Sequence, residues 1–147
     1  MANAVDVAQY IIENTPGEMT AMKLQKLVYY AQAWSLVWDD EPLFDEEIQA
    51  WAMGPVIPAL YDIHRGLYKV NPYTFKGNTD NLTDNQKDSI NIIIANLGKF
   101  NSYELSRMTH MEAPWLDARE GIPDGVRSSS VISHASMAEF YGAMIAD

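Results

Sequence analysis

Apolar residues recur at helical spacing along the stretch from Thr20 to Trp38. One face of this predicted helix carries Leu24, Leu27, Val28, Ala31, Trp34 and Trp38. A second apolar set covers most of the remaining surface and consists of Tyr29, Tyr30, Ala33, Leu36 and Val37. Because a helix that is apolar nearly all round must be packed on several sides, we predict a central buried helix over about residues 20–38.

Helical spacing and capping signals predict further helices on both sides of the central one. Thr83 and Gln86 match a capping box, which is the clearest local start signal in the chain. Asn101 or Ser102 caps the segment that follows, and Ser133 caps the last one. The predicted helices cover residues 2–14, 55–65, 84–97, 102–111, 113–120 and 134–144.

The helical period is lost near residues 48–53, where a short strand is predicted. In this segment Ile48, Ala50 and Ala52 alternate with Gln49, Trp51 and Met53. Gly54 and Pro55 then indicate a turn, after which a helix is expected to open at Pro55 with Pro58 also in its first turn.

Residues 66–82 are rich in turn signals and predict a loop that is long for a compact domain. It is expected to be either mobile or packed by Tyr68, Tyr73 and Phe75. The chain as a whole is predicted to be mainly α. We expect a compact single-domain helical fold over residues 1–147, built around the central helix, with a small β element near residues 48–53.

Composition narrows the class of protein further. The chain has 147 residues, no cysteine and a net charge of −10. The missing cysteines exclude disulfides and thiol chemistry, and the acidity makes nucleic-acid binding unlikely, because phosphate contacts need a basic face. No signal peptide is recognised and no apolar run is long enough for a membrane span, so a cytoplasmic protein is expected. The acidic cluster in residues 39–47 is either a solvated edge or a docking surface for a basic protein.

The search for catalytic chemistry finds little. His64, His110 and His134 include no pair at the spacing that places two metal ligands on one helix. His110 and Glu112 form the H-x-E of zinc deaminases, but the Cys-x-x-Cys that those enzymes require is missing. We therefore predict no catalytic residue, no metal site and no cofactor.

Four segments in order carry a family resemblance: KLQKLVYYAQAW (23–34), QAWAMGPVIPALY (49–61), LSRMTHMEAPWLDARE (105–120) and ISHASMAEFY (132–141). Together they resemble the Panacea domain of SocA-like and GepA-like proteins, which are found in bacteria and on phages. The resemblance extends over about residues 20–141, and the loop from residue 67 to 82 has no recognised counterpart.

The resemblance implies an antitoxin of a type II-like toxin–antitoxin system. Such an antitoxin neutralises a cognate protein toxin, for example a small alarmone-synthetase-like enzyme, by direct binding. A SocA-like branch instead acts as an adaptor that delivers its toxin to the ClpXP protease. Two other classes stay open: a metal-dependent enzyme using His110 and Glu112, and a nucleic-acid-binding protein with a basic patch hidden in its net acidity.

We further hypothesise a division between residues that determine the fold and residues that bind the partner. The recurring motifs around Trp34, Gly54 and Trp115 are assigned to the fold. Partner binding is assigned to Tyr61, Arg65, Tyr73 and His110.

Overall fold

A computed structural model describes residues 2–145 of the chain, which fold into seven α-helices and two small antiparallel sheets. The predicted domain limits at residues 1 and 147 lie outside the described residues. The helices are α1 (Ala4–Asn14), α2 (Ala21–Trp38), α3 (Pro58–His64), α4 (Asp84–Leu97), α5 (Ser102–His110), α6 (Ala113–Arg119) and α7 (His134–Ile145). The strands are β1 (Met19–Thr20), β2 (Ile48–Trp51), β3 (Gly54–Val56), β4 (Lys69–Val70) and β5 (Val131–Ile132).

Helix α2 is the centre of the fold, which confirms the prediction from its apolar pattern. It packs against α1, α4, α5, α7 and β3, so that it is covered on several sides. Thr20 caps it as expected, because its hydroxyl accepts from the Lys23 amide at 3.1 Å. The mainly α class of the fold is likewise confirmed.

Two buried glutamines of α2 hold the segments that follow the helix. Gln25 and Gln32 are seven residues apart and therefore lie on the same face, two turns from each other. Gln25 accepts from the Ile57 amide at 2.8 Å, and Gln32 accepts from the Leu43 amide at 2.7 Å. Each glutamine thus satisfies backbone groups that would otherwise be buried without a partner.

The larger sheet has the strand order β3-β2-β5, and β2 pairs antiparallel with both neighbours. This confirms the strand predicted near residues 48–53. The expectation that a helix opens at Pro55 is wrong, because Pro55 lies in β3 opposite Ala50 and α3 begins at Pro58. Proline is tolerated there because β3 is an edge strand.

The segment 66–82 is an ordered connection that is held to α1. Its β4 pairs with β1, and a short 3-10 turn covers Thr79–Asn81; neither element was predicted. Buried Asp6 accepts from the Asn78 amide at 2.8 Å and from the Asn81 side chain at 3.1 Å. Of the three aromatic residues expected to pack this segment, only Phe75 is buried.

Candidate protein-interaction surface

The turn between β2 and β3 presents an exposed apolar side chain. Ala52 and Met53 form this turn, and the Met53 side chain is 53% exposed. Gly54 follows with φ +116°, a conformation that favours glycine. A Cβ at Gly54 would lie 2.6 Å from Cε of Lys26, so the turn also needs glycine for its close approach to α2.

Four consecutive carbonyl groups of this hairpin, those of residues 50–53, each lie within hydrogen-bond distance of one side chain from α5 or α6. Ser106 Oγ donates to the Met53 oxygen at 2.6 Å, His110 Nε2 lies 3.0 Å from the Ala52 oxygen, Trp115 Nε1 donates to the Trp51 oxygen at 2.8 Å, and Arg119 Nη1 donates to the Ala50 oxygen at 3.1 Å. We call these four side chains the hairpin clamp.

The order of the hairpin clamp follows from helix geometry. Ser106 and His110 are four residues apart on α5, and Trp115 and Arg119 are four apart on α6, so each pair lies along one helix face. The His110 ring packs against Trp115 with centroids 4.0 Å apart, and the Arg119 guanidinium lies 4.7 Å from the Trp115 ring. The contacts run in opposite order along the two segments: as the side chains advance from residue 106 to residue 119, the carbonyl groups go back from residue 53 to residue 50.

Arg119 also shapes the segment that precedes β5. Its Nη2 donates to the carbonyl oxygens of Pro123 at 3.0 Å and Val126 at 2.6 Å. Since this arginine is buried, carbonyl dipoles and the Trp115 ring stabilise its charge. The segment 121–130 is therefore held close to the hairpin.

One groove is lined by the turn residues Ala52 and Met53, and a second is lined by Ser106 and His110, which contact the carbonyl groups of this turn. The first, of about 660 Å³, is lined by Trp51, Met53, Tyr61 and Arg127 among others. The second, of about 460 Å³, is lined by Tyr103, Arg107, His110, Met111 and Asp124 among others. The clamp contacts of Ser106 and His110 join the walls of the two grooves. We call the exposed face that they form the hairpin surface, represented by Met53, Tyr61, Tyr103, Arg107, Met111 and Arg127.

The structure distributes the four residues assigned to partner binding over two regions. Tyr61 packs against Trp51 at 4.9 Å in one groove, and His110 borders the other. Arg65 is exposed one helical turn after Tyr61. Tyr73 is 85% exposed, but it lies on the segment that is held to α1. A role of these residues in partner binding stays a prediction.

The pairing of His110 with Glu112 that an enzyme would use is not formed. Nδ1 of His110 lies 2.6 Å from the Ser106 oxygen and Nε2 lies near Ala52, so both ring nitrogens have carbonyl neighbours. Glu112 instead accepts from Tyr30. Across residues 2–145, no group of three or more His, Asp or Glu side chains is placed to hold a metal ion.

Comparison with protein families identifies the region that contains these features. Residues 24–116 match the family described as antitoxin SocA-like, Panacea domain. The chain belongs to this family. The resemblance seen in its motifs is therefore confirmed, and the match includes most of α2, the hairpin and Trp115 of the hairpin clamp. Neither the curated proteins nor the solved structures contain a match to this chain.

Lys26 of this Panacea domain lies directly beneath the hairpin. Its side chain is 1% exposed, and Nζ has no hydrogen-bond partner among the described residues. Burial lowers the pKa of this lysine to about 7, because the charged form loses its hydration. Burial also lowers the pKa of nearby His64, whose Nε2 lies 2.9 Å from the Gln25 amide nitrogen.

Glu112 joins α2 and α7 at the start of α6. One of its carboxylate oxygens accepts from Tyr30 at 2.6 Å and from Tyr141 at 2.9 Å. The Tyr141 hydroxyl is also 2.9 Å from that of Tyr29. Burial raises the pKa of Glu112, and the two tyrosine hydrogen bonds partly oppose this effect. Glu112 therefore makes its hydrogen bonds to side chains within this Panacea domain.

No helix within residues 2–145 of this Panacea domain combines the length and the apolar character needed to cross a bilayer.

Proposed function

We propose that this Panacea domain neutralises a cognate protein toxin by binding it directly, and that the hairpin surface makes the contact. Membership of an antitoxin-like family supports the type of role. The observation that carries the proposed location is the combination of exposed apolar side chains with a turn that is fixed from behind by the hairpin clamp.

The composition of the hairpin surface fits a protein interface. Met53, Tyr103 and Met111 are exposed, and Tyr61 lines the neighbouring groove. Methionine, tyrosine and arginine are enriched in protein interfaces, and methionine adapts its shape to different partners. These side chains would be covered by a bound toxin.

The hairpin clamp lowers the cost of binding. A loop that becomes ordered on association loses conformational entropy, which weakens the complex. Here the carbonyl groups of residues 50–53 are already bound within the domain. The turn is therefore prepared for contact before a partner arrives.

Co-purification tests the function. The chain is expressed with the product of the adjacent gene, one of the two proteins is tagged, and both elution and relief of toxicity are measured. A stable complex with rescue supports direct neutralisation. Rescue without a complex, lost when ClpXP is removed, supports the adaptor mechanism instead. A small alarmone-synthetase-like enzyme is the toxin class that we propose, and nucleotide synthesis by the purified partner tests it.

A pair of matched variants tests the location. Met53 and Met144 are 53% and 54% exposed, so they offer the same change at equal exposure. We expect Met53→Glu to abolish complex formation and rescue, because it places an unpaired charge in the apolar contact. Met144→Glu, on α7, is expected to retain both. Equal behaviour of the two variants would place the interface elsewhere.

A further inference from the structure

The arginines of the chain are concentrated at the hairpin. Only four are present in the sequence, at residues 65, 107, 119 and 127. Arg119 belongs to the hairpin clamp, while Arg107 and Arg127 each line one of the two grooves. Arg65 follows Tyr61 of the same surface by one helical turn.

Arg107 and Arg127 are exposed and have no partner within the described residues. The only ion pair in residues 2–145 joins Lys69 to Glu18, and no hydrogen bond is made by either arginine side chain. Asp124 lines the groove of Arg107 without forming an ion pair with it. In a chain with 20 acidic and 10 basic residues, carboxylates of its own are plentiful. Two guanidinium groups nevertheless stay available for a ligand.

We propose that the hairpin surface binds an acidic segment of the partner protein, with carboxylates at Arg107 and Arg127 and apolar side chains against Met53 and Met111. This inference rests on the proposed function. Guanidinium groups match carboxylates in geometry and are weakly hydrated, so they lose little when a partner covers them. Met53 lines the groove of Arg127 and Met111 lines that of Arg107, so each charged position has an adaptable apolar side chain in its own groove.

The charge distribution favours a protein segment over a nucleic acid. A nucleic acid carries negative charge along its whole length, so its flanking phosphates would lie against a domain of net charge −10. A protein segment concentrates its carboxylates at a few positions. Arg107 and Arg127 then attract the carboxylates of the segment, while the acidic remainder of the domain repels them. This combination favours the one alignment of the segment that places its carboxylates at the two arginines.

Charge reversal with a matched control tests the inference. Arg107→Glu and Arg127→Glu are compared with Lys87→Glu on α4, which makes the same charge change outside the hairpin surface. Affinity for the purified product of the adjacent gene is measured by titration at low and high NaCl. We expect each arginine variant to bind on the order of tenfold more weakly at low salt, and with a smaller salt dependence, because an attractive pair becomes repulsive. Lys87→Glu is expected to bind as the wild type does.

The outcomes separate this inference from the proposed function. If the wild-type domain does not bind the adjacent gene product, both are overturned. If it binds, but the arginine variants keep the wild-type affinity and salt dependence, only the acidic-segment inference is overturned. The acidic-segment inference alone is also overturned if the arginine variants lose binding to a fluorescent single-stranded RNA while toxin binding is unchanged. Circular dichroism of each variant shows whether the fold is retained, which is expected because Arg107 and Arg127 are exposed and Lys87 is only half-buried.

Discussion

The indole N–H of Trp115 donates to the carbonyl oxygen of Trp51 at 2.8 Å, across 64 residues of sequence. This bond joins α6 to the last residue of β2. It also links two of the family motifs, because Trp51 belongs to the A-W-x-x-G-P-V segment and Trp115 to the T-H-x-E-x-P-W segment. One motif thus holds the backbone of the other, and the exposed turn beside Trp51 depends on that contact.

Trp115→Phe tests the energetic value of this bond. The substitution keeps an aromatic ring against His110 but removes the donor, so the Trp51 carbonyl loses its partner. We expect a loss of about 1–3 kcal/mol in the free energy of unfolding, measured in urea. Trp34→Phe is the control, since the Trp34 N–H has no hydrogen-bond partner in the described part of the chain. An equal loss in both variants would mean that ring volume alone matters.

Arg119→Lys tests the support of the segment 121–130. A lysine cannot reproduce the planar fork that reaches Ala50, Pro123 and Val126. We expect a loss of about 2–3 kcal/mol in the free energy of unfolding and faster proteolysis within residues 121–130. Arg107→Lys, at an exposed position, should change stability by no more than about 0.5 kcal/mol. Unchanged proteolysis of Arg119→Lys would show that other contacts hold this segment.

Lys26 should make stability depend on pH. Its pKa is lowered to about 7 in the folded state, while the unfolded chain retains the ordinary value of 10.5. Below pH 7 both states are protonated and the burial penalty is complete. Between these two values only the unfolded state holds the proton, so the contribution of Lys26 becomes more favourable as pH rises, by up to about 1.4 kcal/mol per pH unit.

Lys26→Met removes this dependence while keeping an unbranched side chain beneath Gly54. We expect the variant to be more stable than the wild type at pH 6, and the difference to shrink as pH rises from 7 toward 10. Chemical unfolding at several pH values measures the difference directly, so titration of other groups cancels. If the free energies of unfolding of the wild type and the variant changed with pH in parallel, the amine of Lys26 would not be neutral in the folded state.

Removing the charge of Glu112 and removing the hydroxyl of Tyr141 are expected to have different effects on stability. The folded pKa of Glu112 is raised, so its contribution to stability falls as pH rises through the window between the unfolded and folded values. At pH 7 Glu112→Gln should therefore be at least as stable as the wild type, because an amide oxygen still accepts from Tyr30 and Tyr141.

Tyr141→Phe is the complementary variant and should lose about 1–3 kcal/mol, since Glu112 and Tyr29 both lose a hydrogen-bond partner. Thermal unfolding of both variants at pH 7 measures the contrast. A marked destabilisation of Glu112→Gln would indicate that the negative charge itself holds Tyr30 and Tyr141 together.

Local patterns were sufficient to predict the elements with strong periodicity. The apolar positions of α2 and the capping box of Thr83 and Gln86 act within one or two turns, so the sequence contains all that is needed to find them. The pairing of β1 with β4 could not be predicted, because two strands of two residues each carry no alternation. Pro55 was assigned to a helix because proline is common in the first turn of a helix. Its actual place in an edge strand follows from the order of strands in the sheet, which the local sequence does not contain.

The candidate surface was only partly predictable for a related reason. Tyr61 and His110 were singled out, but Met53 and Arg127 were not, although both line the same groove as Tyr61. Nothing local distinguishes an exposed methionine from a buried one. The useful signal was the scarcity of arginine in an acidic chain. Its meaning depends on knowing that no carboxylate within residues 2–145 forms an ion pair with Arg107 or Arg127.

The sequence by itself determined the central helix, the mainly α class and the family, because periodicity, capping and motif order are properties of the linear chain. Only the tertiary structure decided which carbonyl each clamp side chain binds, and which arginines have no partner among residues 2–145. Every residue has a carbonyl oxygen, so a donor such as Trp115 has many acceptors within the sequence. The packing of α5 and α6 against β2 selects the oxygens of residues 50–53 and leaves the turn beside them exposed to a partner.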